Sequence, residues 1–263
     1  MPRYRLLIEY NGTRYSGWQV QRNARTVQGE ILQAVESVTG RRDRIEVYGA
    51  GRTDAGVHAV GQVAHLDVAT TLPPASLLVR LNEALPSDIN LLELRVVGHR
   101  FHARHDAVAR RYVYQISRRR SAFAKPYIWW VRERIDVVAM RRAAAGFEGR
   151  LDFEAFSDDR AEEKSTDVQV DAVEIVEAGA LVLVRVTGSH FLWRMVRRMV
   201  GVLVRVGTGD LREADVARLL ASNGEAVAQM TAPAAGLFLE QVLYPGEAFR
   251  EGLDGPLRLG GGS

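Results

Sequence analysis

Asp54 stands in the middle of a stretch that could do chemistry: Gly49-Ala50-Gly51-Arg52-Thr53-Asp54-Ala55-Gly56-Val57-His58-Ala59. The stretch carries three glycines, one carboxylate, one arginine and one histidine, and Val57 is its only long apolar side chain. Glycines let a backbone take positive φ or approach a ligand closely. A carboxylate placed here could be a nucleophile, a general base, a turn former or part of a phosphate-holding loop. The Gly-Lys-Ser/Thr ending of a P-loop is missing, which argues against the last. No second carboxylate lies nearby in sequence, so a glycosidase-like pair is not indicated. Turn formation is the ordinary role of an Asp close to a Gly, and it stays open beside the two catalytic roles. His58 reads equally as a base near Asp54 or as a packed hairpin residue. His99, His102 and His105 are spaced by three, but Gly98 and the flanking strand patterns speak against a helix, so no metal site is expected there.

The elements that must position Asp54 are legible on both sides. Arg44 to Tyr48 alternates like a strand, and so does Gln62 to Val68. The glycine-rich stretch is therefore a loop between two strands, a common seat for functional side chains. Upstream, Arg3 to Tyr10 alternates, Asn11-Gly12-Thr13 makes a turn, and Tyr15 to Gln21 is a polar and aromatic loop. Thr26 caps a helix with Val27, Ile31, Val35 and Val38 on one stripe, ending at Gly40. A second helix is expected over 75–85 and a strand over 89–97. Phe101 to Asp106 reads as a loop, and Ala109 to Ser117 as a strand with Arg110, Tyr112, Tyr114 and Ile116 on one face. Asp136 caps a helix through Phe147, and 168–177 with 181–187 form a hairpin turning near Gly179. His190 to Val206 is a helix apolar nearly all round, which predicts burial; its arginines at 194, 197, 198 and 205 then need partners. A short helix over 212–222 and a strand over 236–244 complete the series.

Composition sets the bounds. The chain of 263 residues suits one large or two modest domains, and 47% apolar residues suffice for a core. No apolar run reaches the roughly 18 residues of a membrane span. The N-terminus runs straight into a strand pattern, so no signal peptide is expected. The absence of cysteine excludes disulfides, zinc-thiolate sites and thiol nucleophiles, and agrees with a cytoplasmic location. The net charge is only +3, but the basic residues are nearly all arginine. They crowd into Arg100–Arg120 and Arg194–Arg205, near aromatic residues, a footprint for nucleic acid. High-GC coding would give the same arginine bias, and a solvated face would give the same clusters.

Several stretches together resemble the tRNA pseudouridine synthase A family. They are Tyr10-Asn11-Gly12-Thr13 with Gly17-Trp18-Gln19; Gly51-Arg52-Thr53-Asp54-Ala55-Gly56-Val57-His58; Phe101-His102-Ala103-Arg104 with Arg111-Tyr112-Val113-Tyr114; Phe191 through Met195-Val196-Arg197 with Gly201; and Ala232-Pro233-Ala234-Ala235-Gly236-Leu237-Phe238-Leu239. Their order and spacing match over about residues 3–245. The resemblance implies an isomerase that detaches uracil from its N1–C1′ bond in tRNA, turns it and rejoins it through C5. It implies Asp54 as the essential aspartate, Arg52 as the residue that helps extrude the nucleotide, and Tyr112 as the active-site tyrosine. Arg197 matches the arginine that pairs with the aspartate, and Leu237 the apolar residue against the base. An opposite charge beside a carboxylate favours its ionised form. The implied targets are positions 38, 39 and 40 of the anticodon arm, the implied assembly is a homodimer, and no cofactor or metal is implied. This sequence departs from the family pattern at Asn11, at His105-Asp106, and at Trp193, Arg194 and Arg198 around Met-Val-Arg. An RNA-binding protein of the same fold without turnover, and a synthase with another RNA target, are the alternative readings.

The expected fold is α+β, the pseudouridine synthase fold: two halves with antiparallel sheets, helices on one side and a central active-site cleft. The expected boundaries are 1–105, 106–246, and a disordered tail over 247–263 ending in Gly-Gly-Gly-Ser.

Overall fold

The computed structural model describes residues 1–41, 43, 45–158 and 165–259. The chain divides into two compact units. The first holds Met1–Val108 and Leu239–Phe249; the second holds Ala109–Phe238 and the segment from Arg250 onward. The division falls three residues beyond the expected boundary at 105. It also differs from the expectation at the C-terminus, because most of the last strand returns to the first unit.

In the first unit the elements are β1 (Arg3–Tyr10), α1 (Val27–Thr39), β2 (Glu46–Gly49), β3 (His58–Asp67), α2 (Pro74–Ala84) and β4 (Ile89–Val97). β1 pairs antiparallel with both β3 and β4, and β2 pairs antiparallel with β3. Alternation along β1 buries Tyr4, Leu6, Ile8 and Tyr10, as its period of two predicts. The helix signals hold in detail. The Thr26 side chain accepts the Gly29 N–H, and Gly40 closes α1 at φ +67°. The strand before the Asp54 loop is shorter than its pattern, beginning at Glu46; Arg44 lies outside the described residues. The strand after it starts early, at His58, so that histidine belongs to the ladder and not to the loop.

In the second unit the elements are β5 (Ala109–Ser117), β6 (Trp129–Trp130), α3 (Val137–Ala144), β7 (Gly149–Asp152), β8 (Asp167–Ala178), β9 (Leu181–Gly188), α4 (Met195–Gly207), α5 (Asp215–Leu220) and α6 (Glu225–Gln229). β5, β9, β8 and β7 are neighbours in that order, all antiparallel. The final strand, β10 (Leu237–Leu243), carries residues of both units, and its Leu239–Leu243 part lies beside β3. Asp136 caps α3 by accepting the N–H groups of Val138 and Ala139 at 2.9 and 3.0 Å. Gly179 turns the β8–β9 hairpin at φ +60°. Helix α4 begins at Met195, five residues later than its apolar run suggests. Arg194, at φ +65°, breaks the helical backbone there. No helix among the described residues is long and apolar enough to cross a membrane.

The segment beyond residue 246 is not uniformly frayed. The amide of Gln115, fully buried on β5, donates to the Tyr127 carbonyl at 2.9 Å and accepts the Leu257 N–H at 3.1 Å. The Arg250 carbonyl accepts from Arg111 Nη1 at 3.1 Å. A buried amide must be satisfied, and the returning chain satisfies it. Gly260 to Ser263 lie outside the described residues.

The first unit also contains a row of rings: Tyr48 on His65 (5.2 Å between centroids), His65 against His102 (4.7 Å) and His102 against His105 (4.2 Å). His65 Nδ1 accepts the Ala103 N–H at 3.1 Å, and His102 Nδ1 accepts those of Arg104 and His105 at 3.2 Å. These histidines are bound to backbone, and no cluster of three or more ligating side chains able to hold a metal occurs among the described residues. Burial, then the charges of Arg3 and His102, push the His65 pKa from 6.5 to about 4. The folded state therefore holds His65 neutral where the unfolded chain protonates it. Its contribution to stability is fully present above pH 6.5 and declines as pH falls toward 4. We expect the urea midpoint to drop across that window, and His65→Gln, though less stable at neutral pH, to show a shallower drop.

Candidate functional site

The Asp54 loop is built from backbone contacts. The Asp54 carbonyl accepts the Val57 N–H at 3.1 Å, and Gly56 sits between them at φ +78°. A four-residue turn with positive φ at its third position is type II, which needs glycine there. Asp54 is thus a turn residue by its backbone, and its half-buried side chain rises from a fixed base. The loop is tied to the β2–β3 ladder by Ala50 N–H to the Val63 carbonyl (2.7 Å) and by Gln62 Nε2 to the Gly51 carbonyl (3.0 Å).

The Tyr10–Gln21 segment is the wall behind this loop. Gly17, at φ +93°, is pressed so closely that a Cβ there would lie 2.6 Å from the Thr53 carbonyl oxygen. A Cβ on Gly12 would lie 1.9 Å from the Val57 carbonyl oxygen. The Trp18 N–H donates to the Thr53 carbonyl at 3.1 Å, and the Tyr15 carbonyl accepts the Gly56 N–H at 3.3 Å. Trp18 is buried, with its ring under Gly49, where a Cβ would be 2.6 Å from ring carbon. The buried Tyr10 hydroxyl and Thr53 Oγ1 lie 2.8 Å apart, and burial pushes the tyrosine's pKa up. His58 Nδ1 accepts the Gly12 N–H at 3.0 Å and is itself buried, so its ring joins the two loops. Arg52 is exposed and has no hydrogen-bond or ion-pair partner among the described residues.

In the second unit Tyr112 lies on β5, 8% exposed, with Phe191 edge-on at 5.3 Å. Tyr114, next on the same face, is fully buried; its hydroxyl donates to the Pro233 carbonyl at 2.7 Å. Burial raises the Tyr114 pKa well above its ordinary value, against the nearby positive charge of Arg197. Arg197, half-buried on α4, donates from Nε to the Ala232 carbonyl at 2.7 Å, and its own carbonyl accepts the Ala232 N–H at 3.1 Å. A Cβ on Gly201 would stand 1.7 Å from the Met230 carbonyl oxygen. The chain from Met230 to Gly236 is thus clamped between α4 and the Tyr114 ring, and it delivers Leu237, 5% exposed, to the start of β10. The other α4 arginines also find partners. Arg198, 3% exposed, pairs with Asp158; Arg194 Nη1 reaches the same carboxylate at 3.1 Å; Arg205 pairs with Asp210 at 2.8 Å.

Part of the basic run is consumed in the sheet. Arg110 donates to the Ser189 carbonyl, Arg111 to Thr187 Oγ1, and Arg118 pairs with Glu177. Arg100, Arg104, Arg119 and Arg120 are exposed. Trp18 and Trp129 pack, but Trp130 is 42% exposed with Arg120 at 6.0 Å from its ring. Sequence reasoning did not single out Tyr10, Thr53, Tyr114, Ala232 or Asp158. Tyr10, Thr53, Tyr114 and Ala232 each sit inside a recognised stretch; Asp158 alone had no such signal.

The family profile described as tRNA pseudouridine synthase matches residues 6–106 and 143–245, most of the chain and all the parts just described except β5 and the stretch from Arg118 to Trp130. The chain belongs to the tRNA pseudouridine synthase family. Curated relatives named tRNA pseudouridine synthase A extend the likeness through β5. One from Rhodopseudomonas palustris (strain BisA53) is 42% identical over 247 residues, covering 93% of this chain and all of the relative. One from Maricaulis maris is 40% identical over 251 residues, covering 94% of this chain and all of the relative. One from Pseudothermotoga lettingae is 38% identical over 245 residues, covering 92% of this chain and 99% of the relative.

The backbone-built wall predicts an ordering of substitutions in this synthase. Gly17→Ala combines positive φ with a collision against Thr53 and should cost about 2 kcal/mol or more in chemical denaturation. Tyr10→Phe removes one hydrogen bond and should cost about 1 kcal/mol. The reverse order would mean that the side-chain bond, not the backbone approach, holds the loop.

Proposed function

We propose that the chain converts uridine to pseudouridine at positions 38, 39 and 40 of the tRNA anticodon arm, with Asp54 as the catalytic group. Membership of the tRNA pseudouridine synthase family makes it an isomerase of tRNA uridine. The observation that carries the assignment to Asp54 is its place: the one carboxylate of a loop tied down by backbone hydrogen bonds at Ala50, Thr53, Gly56 and Val57 and by the close approach of Gly17. A catalytic group needs such preorganisation.

The reaction breaks the N1–C1′ bond, turns the uracil, joins C5 to C1′, and moves the C5 proton off the ring while N1 takes one up. Nothing is oxidised and no group leaves the RNA, so the residues in place suffice. The Asp54 carboxylate acts either as nucleophile toward the sugar or as the base that removes a sugar proton. Arg52, exposed beside it, helps extrude the target nucleotide; taking a base out of its stack costs a few kcal/mol. Tyr112 faces the uracil ring and serves the late proton shift at C5. Leu237 supplies the apolar contact to the base, and Arg197 is the cation that pairs with the aspartate. The exposed arginines contact phosphates and set the register of the stem. The enzyme works in the cytoplasm as a homodimer, with the arm held across both subunits.

A pseudouridine map of an unmodified tRNA transcript tests the chemistry, using wild type and Asp54→Asn with no added metal or cofactor. Wild type should convert uridines 38–40, and the variant should bind without converting them. Binding without conversion by both proteins would favour an RNA-binding protein lacking turnover; conversion elsewhere would overturn the target. Light scattering at micromolar concentration should give twice the chain mass, and a fully active monomer would overturn the dimer.

A further inference from the structure

Trp193 is half exposed, unlike Trp18, and it stands where the chain must break its geometry to enter α4. Arg194, the residue after it, is one of two non-glycine residues with positive φ among those described, at +65°. Such a conformation persists only where surrounding structure over-determines it, and it concentrates at functional sites. Two ties to Asp158 flank it, and a third anchors Asp158 itself. The Asp158 N–H donates to the Trp193 carbonyl at 3.3 Å, Arg194 Nη1 lies 3.1 Å from Asp158 Oδ2, and the buried Arg198 pairs with Asp158 Oδ1. The result is a guanidinium held 5.1 Å from the centre of the indole ring, with both groups at the surface.

The position adds weight. Two residues earlier, Phe191 packs edge-on against Tyr112; three residues after Arg194 comes Arg197. An exposed indole with an arginine over its ring suits an unpaired nucleobase, because every base has a π-face and the cation serves its phosphate.

We propose that Trp193, fixed by the Arg194–Asp158–Arg198 network, is a stacking platform for an unpaired nucleobase of the tRNA substrate. This rests on the reading above that tRNA is the substrate, and adds a residue that grips it. Asp158 and Arg198 are positioning residues; Trp193 is the contact.

The test measures equilibrium binding of an unmodified tRNA transcript in the Asp54→Asn background, so that turnover does not intervene. Trp193→Ala should weaken binding about tenfold or more, and Trp193→Phe should recover most of the loss. The loss should be absent with a fully paired RNA duplex, which offers no free base. Indole emission should be quenched as tRNA is added to the parent, and much less in Trp193→Phe; this second readout stands even if Trp193→Ala fails to fold. Equal affinity of parent and Trp193→Ala, or equal quenching of parent and Trp193→Phe, overturns the proposal alone. A parent that binds no tRNA overturns the substrate reading with it.

Discussion

The Asp54 loop depends on how closely two stretches of backbone approach each other. Gly17 and Gly12 lie so near the carbonyls of Thr53 and Val57 that no side chain fits between. The Asp54 carboxylate inherits its position from this contact, since neither stretch is long enough to form a stable element by itself. Trp18 under Gly49 and Tyr10 beside Thr53 then exclude water from the seam, which makes the few hydrogen bonds there stronger and costlier to lose. A carboxylate carried on such a base has little freedom to lose when it meets a substrate, and orientation of that kind is a large part of what catalysis requires.

The second unit solves a different problem with the same economy. Helix α4 is apolar around most of its surface and still carries four arginines from its N-cap to its last turn. A buried guanidinium without acceptors is expensive. Arg198 and Arg194 share the Asp158 carboxylate, Arg205 takes Asp210, and Arg197 spends its Nε on the Ala232 carbonyl. This last bond does more than satisfy Arg197. With Gly201 pressed on Met230 and Tyr114 bonded to Pro233, it sets the path of the chain into Leu237.

Much of this was readable in advance because the signals were local. Thr26 and Gly40 delimit α1, Asp136 opens α3, Gly179 turns a hairpin, and alternation marks β1 and β5. The glycine-rich setting of Asp54 was equally plain, and the order of the recognised stretches carried the family. Errors came where local signals are weak. The apolar run from His190 reads as helix because nothing in it warns that Arg194 takes positive φ and pairs with a distant carboxylate. The tail read as frayed because its composition is that of a linker, while its anchor, the Gln115 amide, lies 142 positions away in sequence.

The amino-acid sequence by itself determined most of the longer elements, the caps at Thr26, Gly40 and Asp136, the glycine-rich loop of Asp54 and the demand that the α4 arginines be partnered, since each follows from side-chain periodicity, backbone freedom or the cost of burying charge. The tertiary structure alone decided which groups meet those demands. Ala232 for Arg197, Asp158 for Arg198 and Gly17 for the Asp54 loop are separated by 35, 40 and 37 positions, and no local pattern encodes a pairing at that range. Partners at such distances are fixed only when packing within each unit brings them within bonding reach, because hydrogen bonds and close contacts act over a few ångströms of space and are indifferent to separation along the chain.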